Sequence, residues 1–526
     1  MKFLLTILFI LTVFLTNAQI TFQRMYGKQG GIGQAGYGIQ QTYDGGFIIV
    51  GERRSTTTRD GYVIRTDSDG NTLWTKSYKT TLFGYFKSVQ QTADDGFIMT
   101  GYTVDTANPK INCFLLKIDS NGNVQWDKSF AGAGSGCSVV ITSDGGYMVS
   151  RQIYYEISLI KMDGNGNVQW NKSFGNSSLF SLSLGWPNDL AKTKDGGFII
   201  TGRISLMNTW DMDVYLLKTD SIGNVLWNKS YRTQKSESGA SVIETYDGGY
   251  FIVGTVADTS QVSALLIKTD SDGNLQWSKM TGGTISSHGW GAAPTSDSGI
   301  VFTGLLIDTL MNQGYGSLYK VDNNGSPLWA KDYRDSSFSL LSEILETQDG
   351  GLAMVGYKLD STAKTFLIKT DKDGNSGCME NNLSLQLANY PLSVDTPLIV
   401  STLISDSVLS GFTISVTLPK EDSILCTTAG IQNHSEGIQQ VSVYPNPFSE
   451  TATLRITNPS ELRMKEVELT MYDMIGKQVH PSIIRNSDSF VIRRGNLPAG
   501  IYFYRVTKDK GRRMEERIAT GKLIIQ

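Results

Sequence analysis

Histidine is almost missing from this chain of 526 residues, which has only His288, His434 and His480. No H-E-x-x-H, no G-x-S-x-G and no paired-cysteine zinc pattern occurs, which argues against the familiar zinc-hydrolase and serine-hydrolase arrangements. No metal and no cofactor is expected. Cysteine is scarce as well, with four residues. Cys378 and Cys426 bracket one segment, and a disulfide between them would close it as a loop. Cys113 and Cys137 can pair or stay as buried thiols, and four cysteines allow three connectivities. An excess of one charge is also lacking, with 47 Lys and Arg against 50 Asp and Glu. Nucleic acid demands a basic stripe that is absent here, so it is not an expected partner.

Long apolar runs are missing after the first residues. Lys2 precedes a mainly apolar stretch from Phe3 to Leu15, followed by Thr16-Asn17-Ala18-Gln19. A basic start, a short apolar run and small residues before the break describe a signal peptide, residues 1–18. The stretch is too short for a comfortable membrane span, so an exported, soluble monomer with no integral membrane span is expected.

What the chain has in plenty is glycine, 55 residues, and much of it is periodic. A turn of the type Asp-Gly-Gly-aromatic begins at Asp44, Asp94, Asp144, Asp195, Asp247, Asp297 and Asp349, with weaker copies at Asp94 and Asp297 and Leu352 in the aromatic's place after Asp349. A second turn, Asp-x-x-Gly-Asn, begins at Asp67, Asp119, Asp163, Asp220, Asp270, Asp322 and Asp371, with Ser326 in the asparagine's place in the copy at Asp322. The two alternate strictly, and a period near 50 residues points to a propeller or a solenoid. Each repeat reads as four strands separated by tight hairpins. The middle strands, such as Phe198-Ile199-Ile200, are continuously apolar, so both faces of each sheet should be buried.

The chain ends favour a closed ring over a solenoid. Trp-x-Lys marks the fourth strand at Trp74, Trp126, Trp170, Trp227, Trp277 and Trp329, six copies for seven repeats. The seventh repeat stops after its third strand, and Phe22-Gln23-Arg24-Met25-Tyr26 has the missing spacing. The N-terminal strand should therefore complete the last blade and remove the open edges. The expected fold is all-β: a seven-bladed β-propeller of four-stranded blades over residues 19–376, a β-rich linker segment at 377–437, and a small C-terminal β-sandwich at 438–526.

The Asp-x-x-Gly-Asn turns partly resemble the tryptophan-docking repeats of quinoprotein-type propellers, but the spacing is one residue shorter. They invite a calcium reading, yet the position two after the Asp is Asp69, Asn121, Asn165, Ile222, Asp272, Asn324 or Asp373. A metal site does not tolerate isoleucine as a ligand, so hairpin turns are expected. Gly31-Ile32-Gly33-Gln34-Ala35-Gly36 matches G-x-G-x-x-G without a helix after it, and the dinucleotide reading fails.

The two repeated turns share one side of the ring, which leaves the long, dissimilar connections on the other. Variable loops on a rigid scaffold commonly bind, and Tyr85, Tyr154, Trp186, Trp210, His288 and Trp290 are the candidate ligand-binding residues. Exposed aromatics suit a glycan or protein ligand. A binding or adhesion protein is expected rather than an enzyme. A carbohydrate-active hydrolase or lyase is the alternative, since paired carboxylates leave no linear trace.

After a polar stretch from Thr427 to Gln440 the period is gone. Val443-Tyr444-Pro445-Asn446-Pro447-Phe448, then Leu469 to Gly476-Lys477, then Leu497-Pro498-Ala499-Gly500-Ile501-Tyr502, then Gly521 to Ile525 follow in order. These blocks resemble the type A C-terminal sorting domain of the type IX secretion system of Gram-negative bacteria. The motif residues are Tyr444, Pro445, Asn446, Pro447, Gly476, Lys477, Gly500 and Tyr502. The resemblance implies two partners, the secretion machinery and its sortase-like peptidase. It also implies a chain carried across the outer membrane, then released or held at the cell surface.

Overall fold

The computed structural model describes residues 19–525 except 28–32, 55–57, 80–82, 105–110, 131–135, 154–155, 176–179, 182–188, 207–210, 259–261, 283–285, 309–312, 335–336, 378, 405–407, 410–413, 419–421, 428–440, 445–448, 457–466, 474–476, 487–488 and 510–514. The expected signal peptide lies outside these residues. The chain divides into two units, Met1–Thr427 and Thr428–Gln526.

Among the described residues the first unit is built from seven antiparallel sheets and no helices. In the first sheet Gly33–Gln41, Phe47–Arg54, Arg59–Thr66 and Thr72–Lys79 lie side by side in chain order. The pattern recurs with each repeat. The seventh sheet takes Phe338–Glu346, Leu352–Leu359 and Ala363–Thr370 from its own repeat. Its fourth strand is Phe22–Tyr26, with Phe22 opposite Lys369 and Tyr26 opposite Thr365.

A fifth strand joins each of these sets of four, and it comes from the segment expected to be a linker. Glu380–Asn382 pairs with the sixth sheet, Leu387–Asn389 with the fifth, Ser393–Asp395 with the fourth and Val400–Leu403 with the third. Val408–Leu409 then pairs with the second sheet, Ile414–Leu418 with the first and Asp422–Thr427 with the seventh. This belt runs through the sheets in reverse order. An edge strand exposes a row of unpaired N–H and C=O groups, and the belt satisfies them sheet by sheet. It also inserts Leu385, Tyr390, Ile399 and Leu425 into the apolar clusters between sheets. The last belt strand covers Phe22–Tyr26, so that short strand has a partner on both sides. Cys378 lies outside the described residues and so do the Cys137 and Cys426 side chains; Cys113 is buried, with its sulfur 3.8 Å from the Thr100 hydroxyl.

Neighbouring sheets are joined at the Asp-x-x-Gly-Asn turns. In the first, Asp67 Oδ1 accepts the Asn71 N–H at 2.7 Å and Oδ2 accepts the Asn71 side-chain amide at 2.8 Å. That leaves the Asn71 Oδ1 and the Gly70 carbonyl facing the preceding sheet. Arg24 donates to the former at 2.8 Å and the Tyr26 hydroxyl to the latter at 2.7 Å. The same contacts join Lys76 to Asn123 and Tyr78 to Gly122, and Lys331 to Asn375 and Tyr333 to Gly374. The aromatic at the head of each fourth strand covers the turn glycine. A Cβ on Gly223 would lie 2.4 Å from the Trp170 ring, and one on Gly70 would lie 2.7 Å from Phe22. Each of the seven turns is docked in this way, including the first sheet's turn by the seventh sheet's Phe22.

The Asp-Gly-Gly turns are fastened within their own sheets. Asp195 Oδ1 accepts from the Thr193 hydroxyl at 2.5 Å and from the Gly197 N–H at 2.9 Å, and Lys218 Nζ donates to Oδ2 at 2.7 Å. A Lys or Arg of the third strand makes this ion pair in every sheet. Burial alone would raise the Asp195 carboxyl. Hydrogen bonds from Lys218, Thr193 and Gly197, with the Lys218 charge, outweigh it and hold the group at about 2. In the two weaker copies Asp95 and Ser298 take the glycine's place with φ of 60° and 66°, so the turn geometry survives a change of residue.

The second unit has two four-stranded sheets, one from Val441–Tyr444, Thr451–Ile456, Ser489–Arg493 and Ser482–Arg485. The other contains Gln478–Val479, Val467–Tyr472, Gly500–Asp509 and Glu515–Ile525. Leu454, Phe490 and Ile492 of one meet Leu469, Met471, Tyr502 and Leu523 of the other in one core, the arrangement of a sandwich.

Three outcomes are expected. Gly223→Ala and Gly145→Ala both place a side chain at positive φ, but a Cβ at Gly145 meets nothing within 4 Å. Urea unfolding should show a loss of about 1 kcal/mol for Gly145→Ala and about 3 kcal/mol for Gly223→Ala. Asp44, Asp94, Asp144, Asp195 and Asp297 are held at about 2, below the unfolded value of about 3.9. Their contribution is present above that value and lost as pH falls towards 2, so calorimetry should show a steep fall in Tm between about pH 4 and 2. A chain ending at Gly377 lacks the belt, and its Tm should lie about 10 °C or more below that of a chain ending at Thr427.

Candidate functional site

Residues from all seven sheets line one cavity of about 560 Å³. The irregularity that shapes it sits at the same place in sheet after sheet. Gly36 faces Gly51 and Gly38 faces Val50, which leaves Tyr37 as an extra residue. Lys87, Cys137, Ala240 and Ser342 are extra in the same way, and Trp290 and Gly291 are together opposite one residue. A bulge bends a strand and re-aims the extra side chain. Tyr37, Lys87, Ala240, Trp290 and Ser342 all line the cavity.

The facing strand allows this close approach by carrying glycine. A Cβ on Gly51 would lie 1.9 Å from the Ala35 carbonyl oxygen, and one on Gly101 1.9 Å from that of Tyr85. Gly202, Gly254, Gly304 and Gly356 hold the same position, while the third sheet has Arg151, which is buried. Glycine seven residues after the turn aspartate was therefore the readable trace of the bulges, since an isolated strand glycine marks a bulge or a close backbone approach.

Polar groups are placed around this cavity by their own networks. The Tyr37 hydroxyl donates to Glu52 Oε1 at 2.7 Å, and Arg54 pairs with the same carboxylate at 2.5 Å. Burial and the Glu52 charge push the Tyr37 hydroxyl far up, so it stays a neutral donor. Asp189 is held by the Ser241 hydroxyl at 2.8 Å and by the N–H groups of Leu190 and Val242 at 2.8 and 3.2 Å. Glu343 lines the cavity with Asp189 and Lys87. Burial, with the Asp189 charge added, raises the Glu343 carboxyl to about 8 against the Ile344 N–H and Lys87. Glu343 therefore holds its proton more readily than an ordinary carboxyl.

The sequence-selected aromatics fare unevenly. Trp290 lines the cavity, and His288 stacks on it with ring centroids 6.0 Å apart. Burial lowers the His288 pKa. Tyr85 is a correction: it is 4% exposed, packed between Tyr37 and Tyr102 with centroids at 5.2 and 4.2 Å. It supports Tyr37 from behind and offers no open ring, because its strand turns it between two sheets. Tyr154, Trp186 and Trp210 lie outside the described residues. Sequence reasoning missed Tyr37, Lys87, Asp189 and Glu343, which sit on inner strands and not in the long connections. In the second unit Pro445, Asn446, Pro447 and Gly476 lie outside the described residues, as does the Tyr444 side chain. Lys477 closes a turn by donating its N–H to Asp473 Oδ1 at 2.9 Å, Gly500 opens a strand, and Tyr502 donates to the Pro498 carbonyl at 2.9 Å. Among the described residues no group of acids, cysteines and histidines is placed to hold a metal, and no helix is long and apolar enough to cross a membrane.

Residues 442–525 match the family of secretion system C-terminal sorting domains. No curated protein matches the chain. Similar solved structures include a protein of unknown function from Bacteroides caccae, 11% identical with a TM-score of 0.36, covering 59% of this chain and 94% of that one. Sqt1 from Chaetomium thermophilum is 9% identical with a TM-score of 0.37, covering 65% and 97%. Extracellular domains 1-2 of Drosophila Semaphorin 1b are 9% identical with a TM-score of 0.34, covering 62% and 84%.

Proposed function

With residues 442–525 being a C-terminal sorting domain that directs type IX export to the cell surface or the medium, we propose that the first unit is the exported cargo, a closed seven-bladed propeller that binds a glycan in its axial cavity. Closure is supported by the docking of the seventh sheet's Phe22, Arg24 and Tyr26 on the first sheet's Gly70 and Asn71. It is supported again on the inner strands, where the Gln348 N–H donates to Gln41 Oε1 at 2.7 Å.

The observation that carries the binding reading is one cavity to which every sheet contributes. Trp290, Tyr37, Phe338 and Tyr357 bring aromatic surface, while Ser88, Ser138, Ser241, Gln90 and Lys87 bring short hydrogen-bonding groups. Aromatic faces edged by fixed polar groups suit the apolar faces and hydroxyls of a sugar. Adhesion at the cell surface follows if the glycan belongs to a neighbouring cell or matrix.

Glu343 and Asp189 lining one cavity favour a second reading, a carbohydrate-active enzyme. Two carboxyl groups, one of them with its pKa raised, are the pair that glycoside hydrolysis uses. The test is a glycan array probed with the secreted chain, alongside a screen for polysaccharide breakdown. Trp290→Ala should weaken glycan binding about tenfold or more, and unchanged binding would defeat the axial site. Polysaccharide breakdown lost in Glu343→Gln would move the assignment to the enzyme.

A further inference from the structure

A second cavity, of about 280 Å³, opens in the fourth sheet where the belt crosses it. Ile204, Asp213 and Arg232 stand in one row across three strands, since Ile204 pairs with Asp213 and the next pair along is Val214 with Tyr231. The belt supplies Asp395, opposite Ser230, and then Thr396, Pro397 and Leu398 as the remaining wall.

The charges here do not balance. Arg232 Nε pairs with Asp395 at 2.5 Å. Glu237 nearby is occupied by the Tyr390 hydroxyl at 2.7 Å and by the Thr233 hydroxyl. Asp213 is 7% exposed and lines the cavity, yet no donor reaches its carboxylate among the described residues. The equivalent positions in the first and seventh sheets are satisfied. Asp60 accepts from the Ser77 hydroxyl at 3.3 Å, and Lys364 pairs with Asp360 at 2.6 Å. A buried carboxylate without a donor is costly unless something supplies one. Burial, and the charges of Glu237, Asp211 and Asp395 working against Arg232, raise the Asp213 carboxyl to about 7, as expected for a site short of positive charge.

We propose that this cavity binds a protonated primary amine flanked by apolar carbons, the chemistry shared by a lysine side chain and an amino sugar. The ammonium donates to Asp213 and Asp395, and its carbons lie against Ile204, Pro397 and Leu398. Two acids and one base in the wall leave room for one added positive charge. The belt completes the site, so a chain without its belt strand over the fourth sheet has no such cavity.

The test is calorimetric titration of the secreted full chain with lysine methylamide and with glucosamine, each beside its N-acetylated form. Binding of an amine with loss of about tenfold or more on acetylation is expected, and which amine binds more tightly identifies the source. Asp213→Asn should cause a similar loss, whereas Asp60→Asn should not. Leu398 is 67% exposed, so Leu398→Trp narrows the opening without disturbing the core and should also weaken binding. Equal binding of amine and acetylated amine, no amine binding at millimolar concentrations, or undiminished binding by both Asp213→Asn and Leu398→Trp would overturn the proposal.

Discussion

The docking of a fourth-strand aromatic on the next sheet's turn glycine, joined in most sheets by a base and a second aromatic, is the contact on which the first unit depends. It fastens a sheet to its neighbour at the fourth strand. The turn works because its aspartate uses both oxygens internally, holding Asn71 so that its free oxygen points to Arg24. The glycine accepts a ring at van der Waals contact because it has no Cβ, and its φ of +76° would suit few other residues. One local motif therefore serves two ends, closing a hairpin and making half of an inter-sheet joint.

The same economy shapes the large cavity. A strand glycine lets the facing strand bulge, and in five sheets the bulge turns an extra residue towards the cavity. Because the scaffold is repeated and the bulged residue is not, Tyr37, Lys87, Ala240, Trp290 and Ser342 differ in chemistry while sharing a position. The belt plays the complementary part at the outside. It covers the edges and brings Asp395 against Arg232 of the fourth sheet and Tyr390 against Glu237 of the fifth.

Much of this was legible in the residues. The two turns, the four strands per repeat, the exchange that places Phe22–Tyr26 in the last sheet and the ordered blocks of the sorting domain all follow from short-range patterns. Those patterns are strong because hairpin geometry is set by a few neighbouring residues. The Trp-x-Lys spacing marks the fourth strand but does not reveal that Lys76 and Lys331 are hydrogen-bonded to asparagines of the next sheet. Tyr85 reads as an exposed ring and is buried. In each case the deciding partner lies on another repeat, about fifty residues away.

The sequence by itself determined the period, the all-β class and the export address, since each is written in contiguous residues whose spacing has one physical meaning. Only the tertiary structure decided that the short strands from residue 380 on form a belt, which carboxylates share the large cavity, and that Asp213 is left without a donor among the described residues. Strand addition and charge balance depend on which surfaces meet, and residues 213 and 395 have no local pattern that announces their meeting.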